Sequence, residues 1–447
     1  MADIIPFRGL IYNLDKVGNL SQVTAPPYDV ISEKAKPELY AKHPYNVVRL
    51  DLGDGSSNEG RYRLCAQYID DWGKDGILIR EKEPAFYYYQ VDFPLDGKKR
   101  RTRGGFIGLV RLEEFEKGII LPHERIHEEQ KTDRLELLRI CQANISLIFS
   151  LFSDRDHTIR SLFEEYTKQP HYSHYVDEND IRHTLWSVKD RSLLHQVREG
   201  MKDKTVFIAD GHHRYQAALA YKNEMEEKSP STGKEPFHYT MMYFCPFEDE
   251  GLTILPSHRL ILNLSHFDRI NFESQLQKYF QKTDYPFTSQ NEPAKRTEFL
   301  QKLEDASRGN AFGLYVQGNY YYTLLQLKEG LDLGAIMGRN IPAVLQKLDV
   351  NILHRLILDQ VLGIEEKDQD QRRIQIIKNG QKAIDLVREG RFQMVFLLNP
   401  PKVEEVQQVA SKKEFMPQKS TFFYPKLPTG LVINKIVEDE TIDDLIP

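Results

Sequence analysis

The fold is decided by Val206-Phe-Ile-Ala-Asp-Gly-His-His-Arg-Tyr-Gln-Ala-Ala-Leu-Ala-Tyr221, which combines a strand, a glycine turn and the start of a helix. The first three residues are β-formers, and Arg214, Ala217 and Tyr221 then recur at helical spacing. Gly211 can adopt the left-handed conformation that a tight turn requires. We therefore predict a helix that begins near Gly211 and runs over residues 211–228.

The turn at Gly211 predicts an anion site. The free N–H groups of a helix start point toward such a turn, and glycine lets a ligand approach them, so phosphate is the natural guest. His212, His213 and Arg214 lie in the first turn, where the helix dipole disfavours cations unless an anion is nearby. The alternative is that Asp210 caps an ordinary surface helix and that the basic side chains pair with local carboxylates.

The motif Asp210-Gly-His-His-Arg214, followed by Tyr215 and Ala217-Ala218, resembles the core motif of the ParB nucleotide-binding domain, sulfiredoxin and the free-serine kinases. It is most similar to the kinases. In sulfiredoxin the turn is Gly-Cys-His-Arg and the cysteine is the nucleophile, so the histidine at position 212 argues against that activity. The resemblance implies a ParB- or serine-kinase-like core that binds a nucleotide.

Four further motifs extend the resemblance over the chain, which is identified as a member of the family called domain of unknown function 1015. They are Ala25-Pro-Pro-Tyr-Asp-Val-Ile31, Pro122-His-Glu124, Leu255-Pro-Ser-His-Arg259 and Met416-Pro-Gln-Lys-Ser-Thr421. The family assignment is specific, but it implies no particular activity.

The composition is that of a soluble globular protein with 447 residues, 40% of them hydrophobic and 28% charged. The net charge of -6 opposes general attraction to nucleic acid, so phosphate binding must be local. The three cysteines lie far apart without a C-x-x-C pair, which indicates reduced thiols. No signal peptide or membrane span is evident, so we expect a cytoplasmic protein.

We predict an α/β (α+β) protein with two domains. Residues 1–263 would form the nucleotide-binding domain with the ParB- and serine-kinase-like core, and residues 264–447 a second α+β domain. Within the first domain, Asp96-Gly97 predicts a hairpin over residues 85–111, from which Arg103 should reach inward. Residues 155–200 favour helices joined by a polar loop.

Several residues outside the central turn are candidates for a phosphate site. Asp29 follows a proline-stiffened segment and could be a general base or a magnesium ligand, although capping carboxylates are commoner. Arg259 either lines the anion site or marks the end of a strand. Lys419 and Ser420 could donate to phosphate, but no glycine-rich Walker A sequence precedes them, and a loop that packs against the N-terminal domain is an equal alternative.

A zinc site is the least favoured interpretation. His123-Glu-Arg-Ile-His127 matches H-E-x-x-H, which on a helix would place two imidazoles on one face with Glu124 as the base. However, Pro122 leaves His123 at the first helical position, and no clear third ligand is present. We interpret His127 as coincidental and keep a zinc-dependent hydrolase as the third hypothesis.

The predicted function is phosphoryl transfer from ATP or ADP, with Mg²⁺, to a small hydroxylated metabolite such as serine. A nucleotide-binding switch without turnover, of ParB-like type, is the second hypothesis. We expect a nucleotide and a small-molecule substrate as partners, no membrane and no nucleic acid, and the sequence is compatible with a homo-oligomer. The candidate catalytic residues are Glu124, Asp29 and His213. The candidate cofactor-binding residues are Asp210, Gly211, His212, His213, Arg214, Arg259, Lys419 and Ser420, and Asp210 is also the candidate metal ligand.

Overall fold

The structure is a computed structural model that describes residues 1–54, 57–95, 99–125, 128–265, 267–338, 340–364 and 373–446. The chain forms two compact units. Unit 1 comprises Met1–Thr253 and Pro425–Pro447, and unit 2 comprises Ile254–Tyr424. This division differs in two places from the one predicted from the sequence: unit 2 begins before residue 264, and the C-terminal segment belongs to unit 1.

Helices and strands are interspersed along the chain. The helices are α1 Leu14–Val17, α2 Leu20–Val23, α3 Ala35–Lys42, α4 Val48–Asp51, α5 Asn58–Lys74, α6 Glu128–Cys141, α7 Thr158–Tyr166, α8 Arg191–Met201, α9 His212–Lys228, α10 Arg269–Tyr279, α11 Glu292–Asp305, α12 Leu333–Met337, α13 Ala343–Gln346, α14 Asp349–Ile352, α15 Gly380–Arg388 and α16 Val403–Ser411. The strands are β1 Ile4–Ile5, β2 Leu10–Tyr12, β3 Leu78–Arg80, β4 Phe86–Leu95, β5 Lys99–Arg111, β6 Ile120–Leu121, β7 Ala143–Asn144, β8 Ile148–Phe152, β9 Ser173–Val176, β10 Arg182–Val188, β11 Val206–Asp210, β12 Tyr239–Pro246, β13 Thr253–Ile254, β14 His258–Ile261, β15 Phe280–Pro286, β16 Ala311–Val316, β17 Tyr321–Leu327, β18 Ile374–Ile377, β19 Met394–Leu398, β20 Phe423–Tyr424 and β21 Asn434–Lys435.

Unit 1 is built on a mixed sheet of nine strands among the residues described. The strand order is β6-β11-β8-β12-β5-β4-β10-β9, and β1 also pairs with β5. The pairs β6–β11 and β8–β12 are parallel, whereas the other pairs are antiparallel. Apolar side chains from α6, α7, α8 and α9 form one core with side chains of this sheet. The structure thus confirms the mixed α/β fold class that the sequence predicts.

The predicted hairpin and the central strand–turn–helix are both present. Strands β4 and β5 pair as far as Leu95 and Lys99, while the turn at Asp96-Gly97 lies outside the described residues. Arg103 is fully buried in β5, as expected. The prediction of helices and a loop over residues 155–200 is partly wrong, because β9 and β10 lie between α7 and α8. Polar histidines, serines and threonines in these strands hide the alternating burial.

Unit 2 has an antiparallel sheet of six strands in its described part, with the order β15-β17-β16-β19-β14-β18. Its two faces carry separate cores. One core contains Phe312 and Phe396 with side chains of α10 and of a π-helical segment, Leu353–Val361. The other contains Val395 and Leu397 with side chains of α11 and α15. Within the described ranges, none of the helices is both long and apolar enough to cross a bilayer.

Candidate functional site

The turn between β11 and α9 has the conformation that the sequence predicts. The pairing of β11 with β8 shifts register between Ile208 and Asp210, which turns the end of the strand. Gly211 follows with φ 91° and ψ 29° and is the N-cap of α9. A Cβ at this position would lie 2.9 to 3.0 Å from atoms of the Arg214 guanidinium. Glycine is therefore favoured both by the backbone angle and by the close side chain, and it offers no side chain to cap the helix.

Asp210 is held between two cations. Its Oδ2 accepts a hydrogen bond from Nη2 of Arg214 at 2.9 Å, and its Oδ1 accepts one from Nζ of Lys426 at 2.5 Å. Burial opposes the ionisation of this carboxyl, but the charges of Lys426 and Arg214 outweigh that effect and lower its pKa to about 2. Asp210 is therefore a carboxylate at neutral pH.

Arg214 is already engaged within the protein. Its Nη1 donates to the carbonyl of Leu147, its Nη2 donates to Asp210, and its Nε is buried without an acceptor among the described residues. The guanidinium therefore positions Asp210 over the glycine turn. Its predicted contact with phosphate oxygens stays a prediction, since a ligand would have to share or replace these bonds.

Asp29 is the second carboxyl of the site. It lies in a single turn of 3₁₀ helix, Tyr28–Val30, which follows Pro27. The side chain keeps access to solvent, yet the surrounding protein removes part of its hydration, and the charge of Asp210 repels a second negative charge. Together these effects raise the pKa of Asp29, although Arg214 and Lys426 act in the opposite direction. The two carboxyls thus interact, and their pKa values move apart.

His212 and His123 form a buried pair of imidazoles whose ring centroids lie 4.8 Å apart. Nδ1 of His123 hydrogen-bonds the carbonyl of Ile208 at 2.8 Å, so this nitrogen carries the proton. Nε2 of His212 accepts the backbone N–H of His123 at 3.3 Å, so its proton is on Nδ1. Burial lowers the pKa of both rings, to about 4 for His123. His212 is therefore neutral, and its predicted role as a hydrogen-bond donor to phosphate stays a prediction.

The other predicted site residues are distributed over both units. His213 lies partly buried in α9, and Glu124 lies partly buried beside His123. Arg259, Lys419 and Ser420 belong to unit 2. Nη1 of Arg259 donates to the carbonyl of Ser257 at 2.6 Å. The proposed roles of these five residues in nucleotide binding or catalysis stay predictions.

Lys426 was not identified from the sequence. It directly follows Pro425, whereas the sequence pattern indicates Lys419, which precedes a serine and a threonine. No local pattern marks Lys426, because its partner Asp210 is 216 residues away. The contact between Lys426 and Asp210 could be predicted only with the knowledge that the C-terminal segment belongs to unit 1.

The helical zinc arrangement is wrong for His123. This residue lies in non-helical chain, and the helix α6 is described over Glu128–Cys141. His127, the second histidine of the pattern, lies outside the described residues. Among the residues that the structure describes, there is no group of three or more His, Cys, Asp or Glu side chains that could hold a metal ion.

The fold and the turn define a mixed α/β protein with a helix N-terminus and a carboxylate pair at its candidate site. The chain belongs to the family described as "Protein of unknown function (DUF1015)", whose model matches residues 4–351. The family identification made from the motifs is confirmed.

Solved structures show distant similarity to this chain. A free serine kinase in complex with AMP is 13% identical, over 75% of this chain and 92% of that one, with a TM-score of 0.33. SbnI from Staphylococcus aureus, truncated at its C-terminus, is 11% identical over 76% and 92%, with a TM-score of 0.36. A conserved hypothetical protein from Pyrococcus furiosus is 14% identical over 75% and 96%, with a TM-score of 0.32. No curated protein matches the sequence.

Proposed function

We propose that this protein is a nucleotide-dependent phosphotransferase that acts on a small hydroxylated molecule, with Asp29 as the general base. The observation that carries the proposal is the carboxylate pair, because Asp210 has a lowered pKa and Asp29 a raised one beside the same helix start. Local environments that shift the pKa values of two carboxyls in opposite directions give the two groups different roles in acid–base chemistry. Asp210 keeps a fixed negative charge, whereas Asp29 has the greater affinity for a proton.

The phosphate end of a nucleotide would bind at the start of α9. Gly211 leaves the first N–H groups of the helix without a side-chain cap, and such groups favour phosphate. Lys426 supplies a cation at the same turn through its bond to Asp210. The motif Asp210-Gly-His-His-Arg214 resembles that of the free-serine kinases, which supports ATP or ADP as the nucleotide.

Phosphoryl transfer depends mainly on positioning and on charge neutralisation, and this site offers both. Asp29, once ionised, would accept the proton of the acceptor hydroxyl as the oxygen bonds to the terminal phosphorus of ATP or ADP. The bond from that phosphorus to its bridging oxygen breaks at the same time, and ADP or AMP leaves. Its raised pKa makes it a stronger base than an ordinary aspartate, although it must be deprotonated to act. Arg214 would hold Asp210 in place, since it binds both that carboxylate and the carbonyl of Leu147.

The residues fit Mg²⁺ as the cofactor. Mg²⁺ is usually bound by one or two carboxylates together with substrate phosphates, so a cluster of three protein ligands is not required. Asp210 is ionised, and each of its oxygens retains a lone pair beyond the bonds to Arg214 and Lys426. When bound, the metal would neutralise charge on the transferred phosphoryl group.

The test compares wild type with Asp29→Asn and with Asp15→Asn, an exposed aspartate of α1 that serves as the matched control. Nucleotide binding is measured as a shift in Tm with ATP, ADP, AMP and CTP in Mg²⁺. Turnover is measured as acceptor-dependent loss of nucleotide phosphate over a panel of hydroxylated molecules. We expect Asp29→Asn to keep the Tm shift and to lose roughly 10² to 10⁴ in rate. The wild-type rate should fall on the acid side of the raised Asp29 pKa.

Two results would contradict the proposal. If no nucleotide stabilises the protein, the helix start is not a nucleotide site. If nucleotides bind but no acceptor accelerates the loss of phosphate, the protein is a nucleotide-binding switch and not a kinase. Asp29→Asn with the wild-type rate would remove Asp29 as the base.

A further inference from the structure

Unit 2 contains a buried cation for which the described residues provide no carboxylate. Arg259 lies in β14 opposite Phe396 of β19, and only 1% of it is exposed. Residues that face each other across two strands, and residues two apart in one strand, share a face of the sheet. Phe396 and Ile261 therefore place Arg259 on the face whose core contains side chains of α10 and of the π-helical segment. Burial there lowers the pKa of Arg259 to about 10.

Part of the Arg259 guanidinium makes no hydrogen bond within the described chain. Its Nη1 donates to the carbonyl of Ser257 at 2.6 Å, whereas its Nη2 is buried and has no acceptor there. Nζ of Lys378 donates to Oγ of Ser257 at 2.6 Å, which places a second positive charge nearby. A buried donor without an acceptor is costly, and a bound water or ion is one explanation for it.

His354 provides a second polar group of this kind. It lies at the start of the π-helical segment beside the core residue Leu353, and its Nε2 is buried without a partner among the residues described. Burial and the charges of Arg259 and Arg355 lower its pKa to about 3, so the ring is neutral. Because the charge of Arg259 acts on this ring, the two side chains are close together. With its proton on Nε2, the ring is a second donor beside the guanidinium.

The surroundings of His354 are typical of a functional site. π-Helices are rare, and they occur frequently at sites that bind a ligand or react. A guanidinium and an imidazole nitrogen without partners in an apolar core also oppose folding, unless a ligand satisfies them. Water would supply an acceptor but no charge, whereas an anion would accept from both groups and balance Arg259 as well.

A cavity beside Ser257 limits the size and the charge of this anion. Its volume is about 20 Å³, which is room for about one or two water-sized groups. The carboxyls of Asp349 and Glu405 also line it, and burial raises the pKa of Asp349 to about 7. These two carboxyls oppose the entry of an anion with more than one negative charge. A small monoanion is therefore the ligand that fits both Arg259 and the cavity.

We propose that Arg259 and His354 bind a small monoanion, of the size of chloride or formate, in unit 2. Nη2 of Arg259 and Nε2 of His354 donate to the anion, which enters from the cavity beside Ser257. All of these residues belong to unit 2, whereas the proposed nucleotide site is built from residues of unit 1. The inference therefore does not depend on the phosphotransferase function.

The test uses the full chain and measures the line width of the chloride NMR signal, which increases when chloride exchanges with a protein site. We expect wild type to broaden the signal, formate to remove the broadening by competition, and inorganic phosphate to compete less than formate. Arg259→Met should weaken chloride binding at least about tenfold, because it removes a donor and the charge. His354→Phe, which keeps an aromatic ring and removes Nε2, should weaken it roughly tenfold.

The matched control is Arg308→Met, which removes an exposed cation of unit 2. This variant should broaden the chloride signal like wild type. The proposal is overturned if wild type does not broaden the signal. It is also overturned if Arg259→Met, shown to be folded by circular dichroism, broadens it as much as wild type does. Stronger competition by phosphate than by formate would overturn the assignment to a small monoanion.

The nucleotide-induced Tm shift of Arg259→Met distinguishes this site from the proposed nucleotide site. A shift with ATP or ADP equal to that of wild type, together with the loss of chloride broadening, supports a separate anion site. If Arg259→Met loses the nucleotide shift, Arg259 belongs to the nucleotide site, and the separate anion site is overturned.

Discussion

Lys426 donates a hydrogen bond to Asp210 although 216 residues separate the two in the sequence. Asp210 ends the strand that leads into the glycine turn, and Lys426 lies in the C-terminal segment that belongs to unit 1. The ion pair is largely shielded, with 15% and 19% of the two side chains exposed. The C-terminal segment therefore contributes a cation to the candidate site.

Replacement of Lys426 by methionine should destabilise unit 1 by about 1 to 3 kcal/mol, because a charge-assisted hydrogen bond is lost. It should also raise the pKa of Asp210 and reduce the nucleotide-induced Tm shift. Since the folded pKa of Asp210 is depressed, its ionisation stabilises the protein above pH 3.8, and this contribution is lost as pH falls toward about 2. Urea unfolding at pH 7 and Tm with ATP measure the two effects.

The matched control is Lys435→Met, in the same segment. Nζ of Lys435 donates to the carbonyl of Cys141 at 2.7 Å, which is a neutral acceptor. This variant should keep the full nucleotide shift. If Lys426→Met keeps it as well, Lys426 does not contribute to nucleotide binding.

Gly211→Ala should destabilise the protein and weaken nucleotide binding. Alanine at φ 91° costs about 1 to 2 kcal/mol, and its Cβ would displace the Arg214 guanidinium from Asp210. Gly18→Ala measures the cost of the backbone angle alone, because Gly18 has φ 72° and a Cβ added there would have no atom within 4 Å. Chemical denaturation of both variants gives the difference. If Gly211→Ala and Gly18→Ala lose the same stability, the contacts of Arg214 survive the substitution at Gly211.

Stability should decrease below neutral pH because His123 is buried as a neutral ring. Its pKa is about 4 in the folded protein against 6.5 for an ordinary histidine, so the unfolded chain binds more protons as pH falls between these values. His123 alone should cost roughly 2 kcal/mol between pH 7.5 and pH 5. His123→Asn should reduce this dependence by that amount in urea unfolding, whereas His195→Asn, at an exposed position of α8, should leave it in place. If the pH dependence of stability is the same in His123→Asn as in wild type, other groups cause it.

Arg259→Met should stabilise unit 2 or leave it unchanged. Arg259 is 1% exposed, its Nη2 has no partner among the described residues, and burial lowers its pKa to about 10. A buried cation without a carboxylate is replaced by an apolar side chain at little cost. Arg296→Met should instead cost about 3 kcal/mol, because Arg296 donates to Glu292 and to Asp385, both at 2.7 Å. A larger loss for Arg259 in urea unfolding would contradict this account.

Local sequence patterns predicted the elements around the site. The β-formers before Gly211 and the periodic residues after it were sufficient for β11 and α9, since both elements are determined by neighbours within a few residues. The positive φ of Gly211 followed from the same reasoning. The strands β9 and β10 were missed because their polar composition hides an alternation that only the neighbouring strands reveal.

The protonation states of the site could not be predicted in this way. His212 was expected to be cationic from its place in the first turn, yet burial against His123 keeps it neutral. Asp29 and Asp210 are both acidic residues in the sequence, yet loss of hydration and the charge of Asp210 raise the pKa of Asp29, whereas Lys426 and Arg214 lower the pKa of Asp210. Charge states depend on three-dimensional surroundings that sequence spacing does not contain.

The sequence by itself therefore determined the family, the mixed α/β class and the glycine turn, because motifs and hydrophobic periodicity are properties of consecutive residues. The tertiary structure alone decided that Lys426 meets Asp210, that the imidazoles at positions 123 and 212 are neutral, and that Arg259 is buried close to His354. Each of these depends on burial and on contacts between distant segments, which exist only once the chain has folded.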